Sequence, residues 1–301
     1  MPSHLFDTNC FYAISANRKK REHLRALDNP VSTSIIAPLE ILRISDDAKD
    51  FRKRKSAMEA LDYVRANILL ESPDSIIRRS FGLPPEESPI PLAPMIRALL
   101  LASSYHEAVS GVTDIQNAQI IKLHPTKIKE WKSDLSSFFT EAVVAGNKQM
   151  LQIFLEQLKK LYPEVTERDL KLVSKELTAH SSQKEHSKRN ALVGLATRVG
   201  LFTVEQLTDA LIHDKMNALL DQAFAKYNGL IDPYVTMYLA FQKQMSDGRT
   251  PERNALFDLE FFTHLNAHDK EYIFVTTEPF WIEQGKQHLP GRVVTLDSLF
   301  Q

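Results

Sequence analysis

One cysteine, Cys10, occurs in 301 residues, so no disulfide can close within the chain, and no Cys and His spacing matches a structural zinc site. Glycine is scarce, at 9 residues, and none follows the opening apolar stretch. That excludes the glycine-rich turn of a dinucleotide-binding unit, and no Walker-type loop is found elsewhere. No apolar run approaches the roughly 20 residues needed to span a bilayer. The first strand begins almost at Met1, which leaves no room for a charged leader and an apolar signal region, so a cytoplasmic protein is expected. Nor does one sign of charge dominate: 37 basic and 38 acidic residues exclude a polycation that coats nucleic acid by bulk charge.

What is present suits a soluble chain that buries a core, with 43% hydrophobic and 25% charged residues, long enough for two domains or one elaborated domain. Cys10 is expected as a small core residue on the first helix. Charge is local rather than global. Arg18-Lys19-Lys20-Arg21 and Arg52-Lys53-Arg54-Lys55 read either as solvated helix faces or as clusters that neutralise phosphates.

Strand-like runs are few and lie near the two ends, at residues 4–6, 32–37, 272–277 and 292–296. Helical segments separate most of them, which predicts an α/β domain with a mostly parallel sheet of about four strands. Between the ends, Pro73, Pro84, Pro85, Pro89, Pro91 and Pro94 cluster at a density that continues neither a helix nor a central strand. Beyond them, Met150, Leu151, Phe154, Leu155, Leu158 and Leu161 follow helical spacing, as do Leu207, Leu211, Met216, Leu219, Leu220 and Phe224. The expected organisation is a discontinuous α/β domain of residues 1–72 and 248–301, interrupted by a packed all-α insertion of residues 73–247. Within that insertion, residues 180–189 are the most polar stretch, a loop or a helix crossing, and Lys184, Lys188 and Arg189 are candidate phosphate contacts. No repeat of fixed period is present.

Four carboxylates stand at element junctions: Asp7, Glu40, Asp258 and Glu278. A carboxylate at the end of a strand of a parallel sheet faces the crevice above the sheet's carboxyl edge. Asp7 could instead be a helix N-cap, although Thr8 or Asn9 would serve equally well. Glu40 follows Pro38 and falls in the first helical turn, but a reciprocal capping box would need Ser or Thr at the position held by Ala37. Thr250-Pro251 reads as a helix start, which sets Asp258 well inside a helix with Phe261, Phe262 and Leu265 on its own face. A carboxylate there is costly unless it is paired, with Arg253 or Arg43 for example, or bound to a cation. Glu278 closes the strand of residues 272–277 ahead of Pro279. Together the four suit hard divalent cations with oxygen ligands, and through them attack on a phosphodiester.

In this order the positions resemble the pattern of the PIN-domain nucleases. The matching motifs are Asp7 with Asn9, Glu40 in Ala37-Pro38-Leu39-Glu40, Asp258 in Asn254-Ala255-Leu256-Phe257-Asp258, and Glu278 after Val275-Thr276-Thr277. The resemblance implies a PIN-like three-layer core and Mg²⁺- or Mn²⁺-dependent endonucleolytic cleavage of RNA, as in toxins and processing enzymes, in which a protein inhibitor or a second copy is a further partner. It implies Asp7, Glu40 and Asp258 as metal ligands, Glu278 as a ligand through water, and Thr8, Asn9, Asn254 and Thr277 as residues that orient them. The last acid is Glu where that family usually has Asp, and a compact member lacks so large an insertion. A non-catalytic scaffold that binds RNA or protein through the insertion is the other reading. A haloacid-dehalogenase-type phosphatase would carry its second acid where this chain has Asn9.

Overall fold

The computed structural model describes residues 3–27, 31–42, 48–85, 92–120, 184–203, 206, 210, 215–246, 255–268 and 271–300. Its centre is a five-stranded, wholly parallel sheet: β1 (Ser3–Phe6), β2 (Ser32–Ser34), β3 (Asn67–Leu69), β4 (Tyr272–Thr276) and β5 (Val293–Thr295), in the order β3-β2-β1-β4-β5. The α/β class and the parallel sheet match the sequence pattern. The strand count does not, because β3 is only Asn-Ile-Leu, too short for alternation to mark it. β2 is also shorter than its β-branched run. The Ser34 hydroxyl accepts the Ile36 N–H at 3.3 Å, which turns the chain into α3 (Ile36–Leu42) instead of extending the strand.

Helices supply the crossovers. α1 (Thr8–Ser15), α2 (Arg18–Arg25), α3 and α4 (Ala48–Tyr63) link β1 to β2 and β2 to β3, and helix Pro279–His288 links β4 to β5. Phe6, Phe11, Ile41, Phe274 and Val275 are fully buried, and Cys10 is buried among them as expected. Of the clustered prolines, Pro84 and Pro85 lie outside helix and strand as expected, Pro89 and Pro91 lie outside the described residues, and two stand within helices. Pro73 opens α5 (Pro73–Ser80) and Pro94 lies in the first turn of α6 (Leu92–Leu101), positions whose N–H has no partner inside the helix.

The chain divides into two compact units. One comprises Met1–Pro73, Glu86–Lys129 and Leu256–Gln301 and holds the sheet, α6 and α7 (Tyr105–Ile120); the other comprises Asp74–Pro85 and Glu130–Ala255. In the second unit, helix Lys184–Arg198 packs against Met216–Lys226 and Asp232–Ser246 and buries Leu192, Leu195, Leu220 and Met237. The polar stretch at 180–189 therefore opens a helix from Lys184 onward. The amphipathic spacing at 150–161 lies outside the described residues. Among the described residues no helix is long and apolar enough to cross a membrane.

Gly285 sets the fit between helix Pro279–His288 and β5. A Cβ there would come within 2.4 Å of the Val293 Cβ. Helix propensity alone favours Ala over Gly by about 1 kcal/mol, but overpacking typically costs about 1–3 kcal/mol, and this contact involves a side chain with little freedom. Gly285→Ala is therefore expected to lower the melting temperature, and an increase in calorimetry would show that β5 yields easily.

Candidate active site

The sheet winds outward in one direction through β2 and β3 and in the other through β4 and β5, so the reversal lies between β1 and β4. In open α/β sheets, the crevice at the carboxyl ends of strands beside such a reversal is where ligands bind. Asp7 follows the last residue of β1. Its N–H donates to the Val275 carbonyl at 3.1 Å, which holds it level with the end of β4. It is fully buried, and its Oδ1 accepts the Cys10 N–H at 2.8 Å, making Asp7 itself the N-cap of α1. Thr8 and Asn9, expected as the alternative caps, turn elsewhere. The Thr8 hydroxyl donates to Glu40, and the Asn9 amide donates to Glu278 Oε1 at 2.7 Å.

Glu40 is the fifth residue of α3, because the helix begins at Ile36; its expected place in the first turn is thus corrected to the second. The Arg54 guanidinium donates to the Glu40 carbonyl while its Nε pairs with Asp50 at 2.6 Å, which ties α4 to the end of α3. Asp258 is the fourth residue of helix Ala255–Glu260 and only 4% exposed, with Phe261, Phe262 and Leu265 fully buried around it. Trp281 Nε1–H donates to its Oδ2 at 3.4 Å. Arg43, Arg253 and Asn254, expected as its neighbours, lie outside the described residues. Glu278 occupies the N-cap position of helix Pro279–His288 but makes no side-chain cap bond. Its N–H donates to Thr276 Oγ1 at 3.0 Å.

Sequence reasoning missed Thr276 and Trp281. The Thr276 hydroxyl donates to the second Asp7 oxygen, the orienting role expected of Thr277, whose side chain is exposed. Which of two adjacent threonines faces inward depends on strand register, here Thr276 opposite Thr295. No local signal distinguishes them. Trp281 has no motif of its own and reaches Asp258 only because the chain returns through β4.

Charge links the four acids. Burial raises the Asp258 carboxyl to about 8, with Asp7 and Glu40 and then Glu278 adding repulsion against the Trp281 hydrogen bond. Burial likewise lifts Asp7 to about 6, opposed by the hydrogen bonds from Thr276 and Cys10, with Glu278 adding to the rise. Like charges brought together out of water disfavour ionisation, and a cation among them would reverse the effect.

As a ligand set, the carboxylates supply the hard oxygens that Mg²⁺ and Mn²⁺ take. Their spacing is another matter. Among the described residues no three His, Cys, Asp or Glu side chains form a group able to hold one ion, so the metal-bridging convergence expected of the four acids is not met. Each accepts a hydrogen bond from a hydroxyl, amide, backbone or indole donor.

The basic candidates are engaged with neighbours. Arg18 pairs with Glu22 at 2.7 Å, Lys20 pairs with Asp297 at 2.5 Å and lies over Phe300, and Arg21 lies over Tyr63. Lys19 is exposed. In the second unit, Lys188 meets Asp232 at 3.1 Å and Arg189 meets Asp221 at 3.5 Å; the Lys184 side chain lies outside the described residues. Compared with known proteins, the chain matches no family model, no curated protein and no solved structure.

Proposed function

We infer that this protein is a Mg²⁺- or Mn²⁺-dependent endoribonuclease with a PIN-like α/β unit. The observation that carries this reading is that Asp7, Glu40 and Glu278, from three other elements, each add repulsion to the buried Asp258 carboxyl, and that Asp7 and Glu278 follow the neighbouring strands β1 and β4 at the carboxyl edge of the sheet. Structural ion pairing brings carboxylates to cations; here carboxylates are brought to carboxylates, as a site made for a cation requires. The resemblance assigns Asp7, Glu40 and Asp258 to direct contact with the ion and Glu278 to contact through water; as the side chains lie, no three of them share one ion, so fewer than three would meet it at once, with water completing its shell. When bound, the ion supplies an activated water and stabilises the leaving oxygen. Thr8, Asn9, Thr276 and Trp281 orient the carboxylates by donating to them. The test is cleavage of a fluorescent single-stranded RNA with Mn²⁺ or Mg²⁺, abolished by chelator and restored by added metal.

RNA would meet the α2 surface. Replacing Arg18, Lys19, Lys20 and Arg21 together with glutamine is expected to weaken RNA binding and to flatten its salt dependence by about 0.7 in log–log slope for each phosphate no longer neutralised. Fluorescence anisotropy across a salt series measures both, and an unchanged slope would make α2 a solvated face. The same substitutions at Lys184, Lys188 and Arg189 ask whether the second unit contributes.

A second reading, a scaffold that binds RNA or protein without cutting, draws on the hydrogen bond each acid accepts and on the lack of a ready three-ligand group among the described residues. RNA binding with no metal-dependent cleavage would decide for it.

A further inference from the structure

The two helices that carry Glu40 and Asp258 are far apart in sequence, yet a buried hydrogen bond joins the structures that extend from them. The Ser34 hydroxyl and His264 Nε2 lie 2.8 Å apart, both side chains fully buried. Ser34 also accepts the Ile36 N–H, so its oxygen stands at the start of the helix that carries Glu40. His264 ends the 3₁₀ turn Phe261–His264, which runs on directly from the Asp258 helix.

His264 is fixed from its other side as well. Its Nδ1 lies 3.3 Å from His268 Nε2, the two rings stack with centroids 5.6 Å apart, and His268 meets the Tyr272 ring edge-on. Arg292, just ahead of β5, donates to the Leu265 carbonyl at 2.9 Å and to the Asn266 side chain at 3.0 Å. The segment after Asp258 is thus clamped from the β5 side by Arg292 and from the β2 side by Ser34. Either neutral tautomer satisfies both ring nitrogens: Ser34 O–H donates to Nε2 while Nδ1–H donates to His268, or Nε2–H donates to the Ser34 oxygen while Nδ1 accepts from His268. A Ser–His pair buried this deeply has no path to a substrate, so it is not a nucleophile.

We propose that Ser34 and His264 are positioning residues that set the separation of Glu40 and Asp258; the catalytic consequence rests on the metal-dependent reading above, but the positioning does not. Ser34→Ala and His264→Phe break the tie, while His264→Gln keeps a hydrogen-bonding group near the place of Nε2. Trp281 donates to Asp258 and serves as a spectroscopic reporter of that carboxylate.

The experiment uses the full chain, with the Trp281 indole N–H resonance, Mn²⁺ affinity by electron paramagnetic resonance and the melting temperature measured for each variant. Ser34→Ala and His264→Phe should move the indole resonance and weaken Mn²⁺ binding about tenfold, the lower end of the range for residues behind a metal ligand. His264→Gln should leave both near wild type. If the two disruptive variants lower the melting temperature but leave the indole resonance in place, the bond is merely structural and the proposal fails. If the wild-type chain binds no Mn²⁺ while the variants still move the resonance, the positioning stands and the metal reading falls. Should one disruptive variant not fold, the other carries the comparison with His264→Gln.

Discussion

Asp7→Asn and Asp258→Asn should each reduce metal-dependent RNA cleavage by about three orders of magnitude, equivalent to ~4 kcal/mol of lost charge stabilisation. Neither change should unfold the protein. Asn is among the best N-caps, so an amide at position 7 still accepts the Cys10 N–H and α1 keeps its start. At position 258 the amide oxygen still accepts the Trp281 indole. What disappears in each case is one negative oxygen among four carboxylates. Single-turnover cleavage at saturating Mn²⁺, with circular dichroism as the folding control, provides the measurement. Undiminished activity in both variants would remove the acid group from the mechanism and leave the scaffold reading.

The second large effect is on stability against pH in metal-free buffer. Asp258 and Asp7 have folded-state pKa values of about 8 and about 6, both above the ordinary carboxylate value of 3.8. The unfolded chain releases these protons first. Their favourable contribution is therefore complete below about pH 4 and is lost as pH rises to about 8, where the folded groups ionise as well. A tenfold difference in proton affinity between the folded and unfolded chain is worth about 1.4 kcal/mol, so several kcal/mol are at stake, and the melting temperature should fall on the order of 10 °C across this window. Asp258→Asn should abolish the upper part of the decline and raise the melting temperature at pH 8, leaving the Asp7 part between about pH 4 and 6. Saturating Mn²⁺ should oppose the decline, since a cation favours the ionised carboxylates. A metal-free melting temperature that is flat or rising from pH 4 to 8 would mean that the acids do not share a buried environment.

Legibility in the sequence follows the range of the forces involved. Asp7 and Glu278 stand out because a carboxylate just past an apolar strand is a local pattern, and Asp258 because its helical neighbours Phe261, Phe262 and Leu265 are apolar at a fixed angular spacing. β3 is invisible because three residues carry too little alternation. The end of β2 is misplaced because Ser34, a weak local signal, captures the Ile36 N–H and outweighs the β-branched run. Asp7 shows that one side chain can both cap a helix and join a charged group. Capping takes one lone pair of one oxygen, and the second oxygen remains for Thr276.

The sequence by itself determined the α/β alternation, the parallel sheet and the identity of the four acids, because hydrophobic period, turn residues and unusual placement of charge act over a few neighbouring positions. Only the tertiary structure decided which donor serves which acid: Thr8 reaches Glu40 across 32 residues, and Asn9 reaches Glu278 across 269. It alone decided that Thr276, and not Thr277, faces Asp7, and that Ser34 meets His264. Hydrogen bonds and repulsion between buried charges depend on distance through space, and that distance exists only once the sheet has brought β1 and β4 side by side.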